Sequence, residues 1–459
     1  MQRAILPCVL LPCLGSAFAA PEKTEPTLLN AQLIEWSPAF TPWDIGGEFR
    51  ARYEMKDDAG VVANTDFVDG IAKGRDANYL REKLHLGYKD DWFSFFIEGR
   101  DASGHEDVKA DDVFDIHQAY VVLGNAKEFP LTAKIGRQEL VYGDERFLGK
   151  GDWNNTGRSF DAIKLRLENS FGWLDAFTGR VVIPDDGNFN VSNDYDYLSG
   201  LYGGTKKLIP CQETQFYFLA RNYGVKGPNS NSAGNPGSPS TQRDIYTIGT
   251  LWKSDPEAWG AWDYTFETAY QFGSVYNRAQ NRRLDQSSYA VFLQGGYTWK
   301  DVWGKPRLGF GYDYGSGDSN SKDGKVETLE NLFGTQHRPY GLMDLMSARN
   351  MHIPKLTFSV KPVNGLSLNA DLMAFVLADT SDLFYPESGP GRTGNGYGIN
   401  PNAGSYAGTE LDLYANYKVN SWANLQLGYG HYFVGDYVKD SVAATTDADW
   451  LYTQVMLTF

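Results

Sequence analysis

The sequence predicts an all-β fold, a transmembrane antiparallel β-barrel of about 18 strands, and three observations carry the prediction. Apolar and polar residues alternate with a period of two in segment after segment. Beyond the N-terminal leader, no apolar run approaches the ~20 residues that a membrane-spanning helix needs. The connections between the alternating segments are short and long by turns.

The alternation is cleanest near the start. Trp43, Ile45, Phe49, Ala51, Tyr53 and Met55 share one face, and Asp44, Glu48, Arg50, Arg52 and Glu54 share the other. It returns where Trp262, Tyr264, Phe266, Tyr270 and Phe272 alternate with Asp263, Thr265, Glu267 and Gln271. It returns again where Leu411, Leu413, Ala415 and Tyr417 oppose Glu410, Asp412, Asn416 and Lys418. Residues 116–123 and 350–360 can be phased either way.

Residues 89–91, 169–172, 300–305, 361–365 and 418–421 form short connections, whereas 56–78, 141–158, 224–242, 315–349 and 379–408 form long ones. A soluble sandwich has no reason to keep that order through the whole chain. An outer-membrane barrel does, with short periplasmic turns and long external loops. A mean hydropathy of -0.42 is compatible with this, because an alternating strand averages its apolar face away.

The two ends agree. Arg3, an apolar stretch from Ala4 to Leu14 and the small-residue string Ala17-Phe18-Ala19 predict a signal peptide over 1–19. Residues 20–42 are then a periplasmic N-terminal segment and 43–459 the barrel, in the outer membrane of a Gram-negative bacterium. Cleavage leaves Cys211 as the one cysteine, without a disulfide. Leu451, Thr453, Val455, Leu457 and Phe459 alternate to an aromatic last residue, which resembles the signal read by the outer-membrane barrel assembly machinery, so that machinery and outer-membrane lipid are expected partners. The net charge of -15 argues against nucleic acid.

The most specific stretch is 134–167, with Gly136-Arg137-Gln138-Glu139, then Gly143-Asp144, then Asp152-Trp153 leading to Arg158-Ser159-Phe160-Asp161. Together with the strand Gly47 to Glu54 and a loop holding His337, Tyr340, Gly341, Met343 and Asp344, it resembles the alginate-export family of outer-membrane barrels. The resemblance covers essentially the whole mature chain. It implies a channel for an anionic polysaccharide, with an anion path carried over to Arg50, Arg52, Arg81, Arg137, Arg158 and Arg166.

The residues themselves allow more than one use. Glu139, Asp144, Glu145, Asp152 and Asp161 offer carboxylates to Arg146 and Arg158, a network that would fix the loop and aim guanidinium groups at a passing anion. The same charges would equally serve as internal braces. Lys83, His85, Arg100, Arg180 and Arg221 add to a basic lumen, but Glu48, Glu98, Glu267, Glu410 and Asp412 fall on inner faces too. A general or uptake porin for small anions or sugars therefore stands beside the exporter. A barrel enzyme is the distant third reading: His85 and His117 sit in no nucleophile motif, so catalysis is not expected. No cofactor or metal is expected, since Asp318, Asn320 and Asp323 miss the spacing of a calcium loop.

One loop is unlike the others. Leu332, Phe333, Tyr340, Leu342, Met343, Leu345 and Met346 are too apolar for a solvated connection. The loop either folds into the barrel as a constriction, with Phe333, His337, Tyr340 and Asp344 as its candidate residues, or packs on a neighbour or the rim. The first alternative is favoured.

Overall fold

The computed structural model describes residues 27–59, 62–106, 111–185, 187–224, 242–277 and 280–459. Eighteen strands form a closed ring in which each pairs antiparallel with its sequence neighbours, and the first, Trp43–Asp57, closes on the last, Ala448–Thr458. A further two-residue strand, Lys325–Val326, lies in a long loop and pairs parallel with Arg282–Thr298. Closure leaves no sheet edge, so every strand finds its backbone partners without water.

The predicted faces hold. Arg50, Arg52 and Glu54 are buried inside the ring, while outward residues such as Ile163, Leu165 and Leu167 stay exposed on the lipid side. The two stretches that resisted phasing have identifiable causes. His117 is an extra residue in a β-bulge, since Glu98 pairs with Gln118 and Gly99 with Ile116, so the alternation changes phase there. Met351 and Ile353 are apolar yet turned inward, because an apolar cluster fills that part of the lumen.

The short turns 90–92, 169–172, 364–365 and 419–422 share one end of the barrel, and the loops 58–74, 139–159, 316–350 and 378–405 share the other. Phe459 closes the short-turn rim by exchanging backbone hydrogen bonds of 3.0 and 2.8 Å with Gly47. At the same end a helix, Leu28–Trp36, precedes the first strand, and its Asn30 side chain bonds the Trp43 carbonyl and the Ile45 N–H. Cys211 is disulfide-bonded in the full-length chain, whereas the expectation of no disulfide concerns the chain after cleavage.

The core lies inside the ring. The loops 139–159 and 316–350 both fold inward and pair with each other: Phe333 N–H donates to Phe147 O at 3.0 Å, Gly149 N–H to Phe333 O at 2.9 Å and Thr335 N–H to Glu145 O at 2.8 Å. Leu332, Phe333, Tyr340, Leu342, Met343, Leu345 and Met346 are all buried, so the apolar loop folds into the barrel as expected. Burying a side chain of that size is worth about 1.5–3 kcal/mol, enough to hold a long loop against its entropy when several act together.

Candidate functional site

The loops meet at an aromatic stack. The Trp153 indole lies parallel to the His337 imidazole with centroids 3.7 Å apart, and the Arg52 guanidinium sits 3.8 Å from the indole centroid. Tyr452 meets the same indole edge-on at 5.1 Å. His337 Nδ1 is held 3.0 Å from Asp344. Above the stack, toward the long loops, is a cavity of about 620 Å³ bordered by Arg52, Arg158, Asp344 and Glu387. Below it lie two chambers of about 450 and 610 Å³. Trp153, Thr335 and His337 border both the upper cavity and the first lower chamber, and so form the divide, or waist, between them.

The six arginines singled out from the sequence divide into groups. Arg81 is fully buried and bonds Glu48 at 2.5 Å and the Asp152 carboxylate at 3.1 Å. Arg137 forks onto Asp161 at 2.8 and 3.1 Å and also reaches the carbonyls of Ile116 and Asn190. Arg166, toward the short turns, forks onto Asp175 at 2.7 and 2.9 Å. Arg52 pairs with Glu54 at 2.8 Å. Arg50 and Arg158 differ. Arg50 donates to the carbonyls of Asp152, Trp153 and Asn154 and to Asn155 Oδ1, at 2.7 to 3.3 Å. Arg158 donates to the carbonyls of Gly149, Phe333 and Gly334. Neither forms an ion pair among the described residues. Burial, then the neighbouring Arg221, brings Arg158 down to about 10, which leaves it charged at neutral pH.

The carboxylates of the first loop do fix it, but not through the partners expected. Arg146 pairs with Asp313 of the wall at 2.8 Å, and Arg158 takes carbonyls instead of acids. Glu139 meets His117 at 3.1 Å, Asp144 meets Lys253 at 2.6 Å, Glu145 accepts from Thr335 at 2.7 Å, and Asp161 holds Arg137. Burial works against a charge on Asp152, but Arg81 and Lys83 overcome it and hold this carboxyl well below the ordinary range. The expected network within one loop is thus a set of ties from loop to wall. Of the second loop's candidates, His337 and Asp344 border the upper cavity, whereas Phe333 packs edge-on against Phe160 at 5.3 Å and Tyr340 is buried.

Sequence reasoning assigned no role to the residues that clamp the second loop. Glu410 accepts the Met343 N–H at 3.0 Å, Asp412 accepts the Leu342 N–H at 3.2 Å, and Lys56 donates to Met343 O at 2.8 Å. A side chain on Gly341, whose φ is +101°, would lie 2.3 Å from the Glu410 carboxylate, so the close approach requires glycine. The signal was present as acids on an inner strand face and an apolar loop, but nothing in the sequence paired them. Lys150 and Arg338, which border the first lower chamber without an ion pair among the described residues, were likewise missed.

Solved structures with the same architecture are outer-membrane porins. Acinetobacter baumannii OccAB1 shares 11% identity at a TM-score of 0.58, with 91% of this chain and 97% of that one covered. Pseudomonas aeruginosa OccK5 (OpdH) shares 11% at 0.56, covering 91% and 98%. Pseudomonas aeruginosa OpdK, solved with vanillate, shares 12% at 0.56, covering 91% and 98%. No curated protein matches by sequence. The likeness is one of fold, a closed barrel; the family model described as alginate export matches residues 41–451, so the chain belongs to the alginate export family, one of outer-membrane channels.

Proposed function

We propose that the channel passes an anionic carbohydrate through the waist beside Trp153 and His337. The observation that carries this reading is the charge left over there. Arg50, Lys150, Arg158 and Arg338 have no carboxylate partner among the described residues, and they surround the stack from above and below. Three carboxylates at the same level lie outside the arginine and lysine ion pairs: the Glu145 carboxylate accepts from the Thr335 hydroxyl and the Lys150 N–H, Asp344 faces His337, and burial and Asp344 push Glu387 toward its neutral acid. Four cations against these three carboxylates leave a positive balance beside the stack, which matters more for selectivity than the charge of the whole chain. The anion path in this reading runs through Arg50 and Arg158, with Lys150 and Arg338, while Arg52, Arg81, Arg137 and Arg166, each paired with a carboxylate, act as braces.

The second reading, an uptake porin for small anions, draws on the likeness to a porin solved with vanillate and on how far the loops fill the lumen. Currents through single reconstituted channels separate the two. An oligouronate should block in discrete events at concentrations where chloride, acetate and neutral monosaccharides do not. Equal response to small carboxylates and oligouronates would favour the small-anion porin and count against the polymer.

A further inference from the structure

The first lower chamber has a second character that the charges at its ceiling do not explain. Its side wall is built from four adjacent strands, Leu366–Leu377, Tyr406–Lys418, Ala423–Val434 and Ala448–Thr458, and along the chamber that wall carries no charged side chain. It presents Ser367, Asn369, Asn416, Gln426 and Gln454 instead. These amides are poorly used by the protein. Gln454 donates to Gln426 Oε1 at 3.3 Å, Asn369 to the Tyr414 carbonyl at 3.4 Å, and Asn416 Oδ1 accepts from Asn424 at 2.6 Å. Gln454 Oε1, on a residue 5% exposed, accepts from no described protein atom, and Asn416 and Gln426 are half-buried beside it. The rings of Tyr414, Tyr452 and Trp153 border the same space.

We infer that this wall is a binding subsite for the hydroxyl groups of a carbohydrate, separate in its chemistry from the cationic waist. A side-chain amide offers both donors and an acceptor, and so does a sugar hydroxyl; neither selects for charge. Groups left unpaired in a half-buried place are costly, and a ligand that satisfies them regains that cost on binding. The chamber's volume of about 450 Å³ is within the range of small-molecule sites. Flat rings next to hydrogen-bonding amides fit a sugar, which has apolar ring faces and polar edges. The assignment rests on the carbohydrate reading above and adds to it a place where the solute pauses on the short-turn side of the waist.

The test uses maltotriose, a neutral trisaccharide, on the reconstituted channel, with a poly(ethylene glycol) of equal hydrodynamic radius as the size control. Maltotriose added on the short-turn side should block with events at least tenfold longer than those of the polymer. The Asn416→Ala/Gln426→Ala variant should shorten them to the polymer's level. Ser367→Ala/Asn369→Ala, on a neighbouring strand, gives a second reading should the first variant fail to form heat-resistant barrel. Block no longer than that of the polymer, or unchanged block in folded variants, overturns the subsite. Ion selectivity of the wild-type channel, read in the same bilayers, reports on the anionic reading separately: a cation-selective channel that binds maltotriose keeps the subsite and loses the anion.

Discussion

Arg158 and Arg166 belong to one stretch of sequence and end in different electrical states. Arg166 faces a carboxylate, with both bonds to Asp175 under 3 Å, so its charge is cancelled where it stands. Arg158 faces the carbonyls of Gly149, Phe333 and Gly334, which orient the guanidinium and leave its charge in place. Arg137 and Arg81 resemble the first case and Arg50 the second. A carbonyl offers only a dipole, whereas a carboxylate offers a full charge, worth about 4 kcal/mol to a guanidinium at ~4 Å and an effective dielectric of ~20. The barrel thus uses one residue type as brace near its wall and as field source at its waist. Backbone carbonyls of inward loops decide which.

Arg158→Glu should break that distinction most visibly. It replaces an uncancelled cation by an anion in the upper cavity, so the reversal potential should move toward cations and oligouronate block weaken roughly tenfold, or ~1.4 kcal/mol, at low salt. At high salt the change should fade as the Debye length shrinks to about 3 Å at 1 M. Arg158→Lys keeps the charge and should keep the selectivity. A folded Arg158→Glu channel with wild-type selectivity at low salt would make Arg158 a brace after all.

Arg137→Ala should act on stability instead. It removes bonds to Asp161 and to two backbone carbonyls, a loss of about 1.5–3 kcal/mol for charge-assisted bonds, seen as a lower temperature for the heat-modification shift. Arg166→Ala should do less, because its side chain is 36% exposed and water can replace the contact. Selectivity should change little in either variant. A large shift of reversal potential in Arg137→Ala with unchanged thermal behaviour would erase the boundary between the two groups.

Much of this architecture was legible in the sequence because a barrel writes its geometry into a local period. The faces of Trp43–Asp57 and the alternation of connections needed no knowledge of distant contacts. The apolar loop was legible for a similar reason, since Leu342 to Met346 cannot remain in water. The roles of the arginines were not legible. Arg146 and Asp313, or Glu410 and the N–H of Met343, are far apart in sequence, and their pairing depends on how two long loops enter one lumen. Phasing failed at His117 and Met351 for physical causes too, a bulge and an inward apolar patch, both tied to the inward loops.

The smallest effect tests the acid that shares the upper cavity with Arg158. Burial, then the neighbouring Asp344, raises the Glu387 carboxyl above its ordinary range, while Lys56 and Arg158 pull the other way. The folded protein therefore holds this proton more tightly than the unfolded chain does. The stability it contributes is complete below the ordinary glutamate range and is lost as pH rises through the shifted value. The same step places a negative charge next to Arg158, so anion selectivity should fall gently as pH climbs from the ordinary glutamate range toward neutrality. Glu387→Gln stays neutral throughout and should flatten that slope, keeping at neutral pH the selectivity that the wild type has only in acid. Reversal potentials of both channels across that interval, at constant low salt, provide the measurement. An equal slope in the two would move the titration elsewhere, and the charge that opposes Arg158 would have to be sought at Asp344 or Glu145.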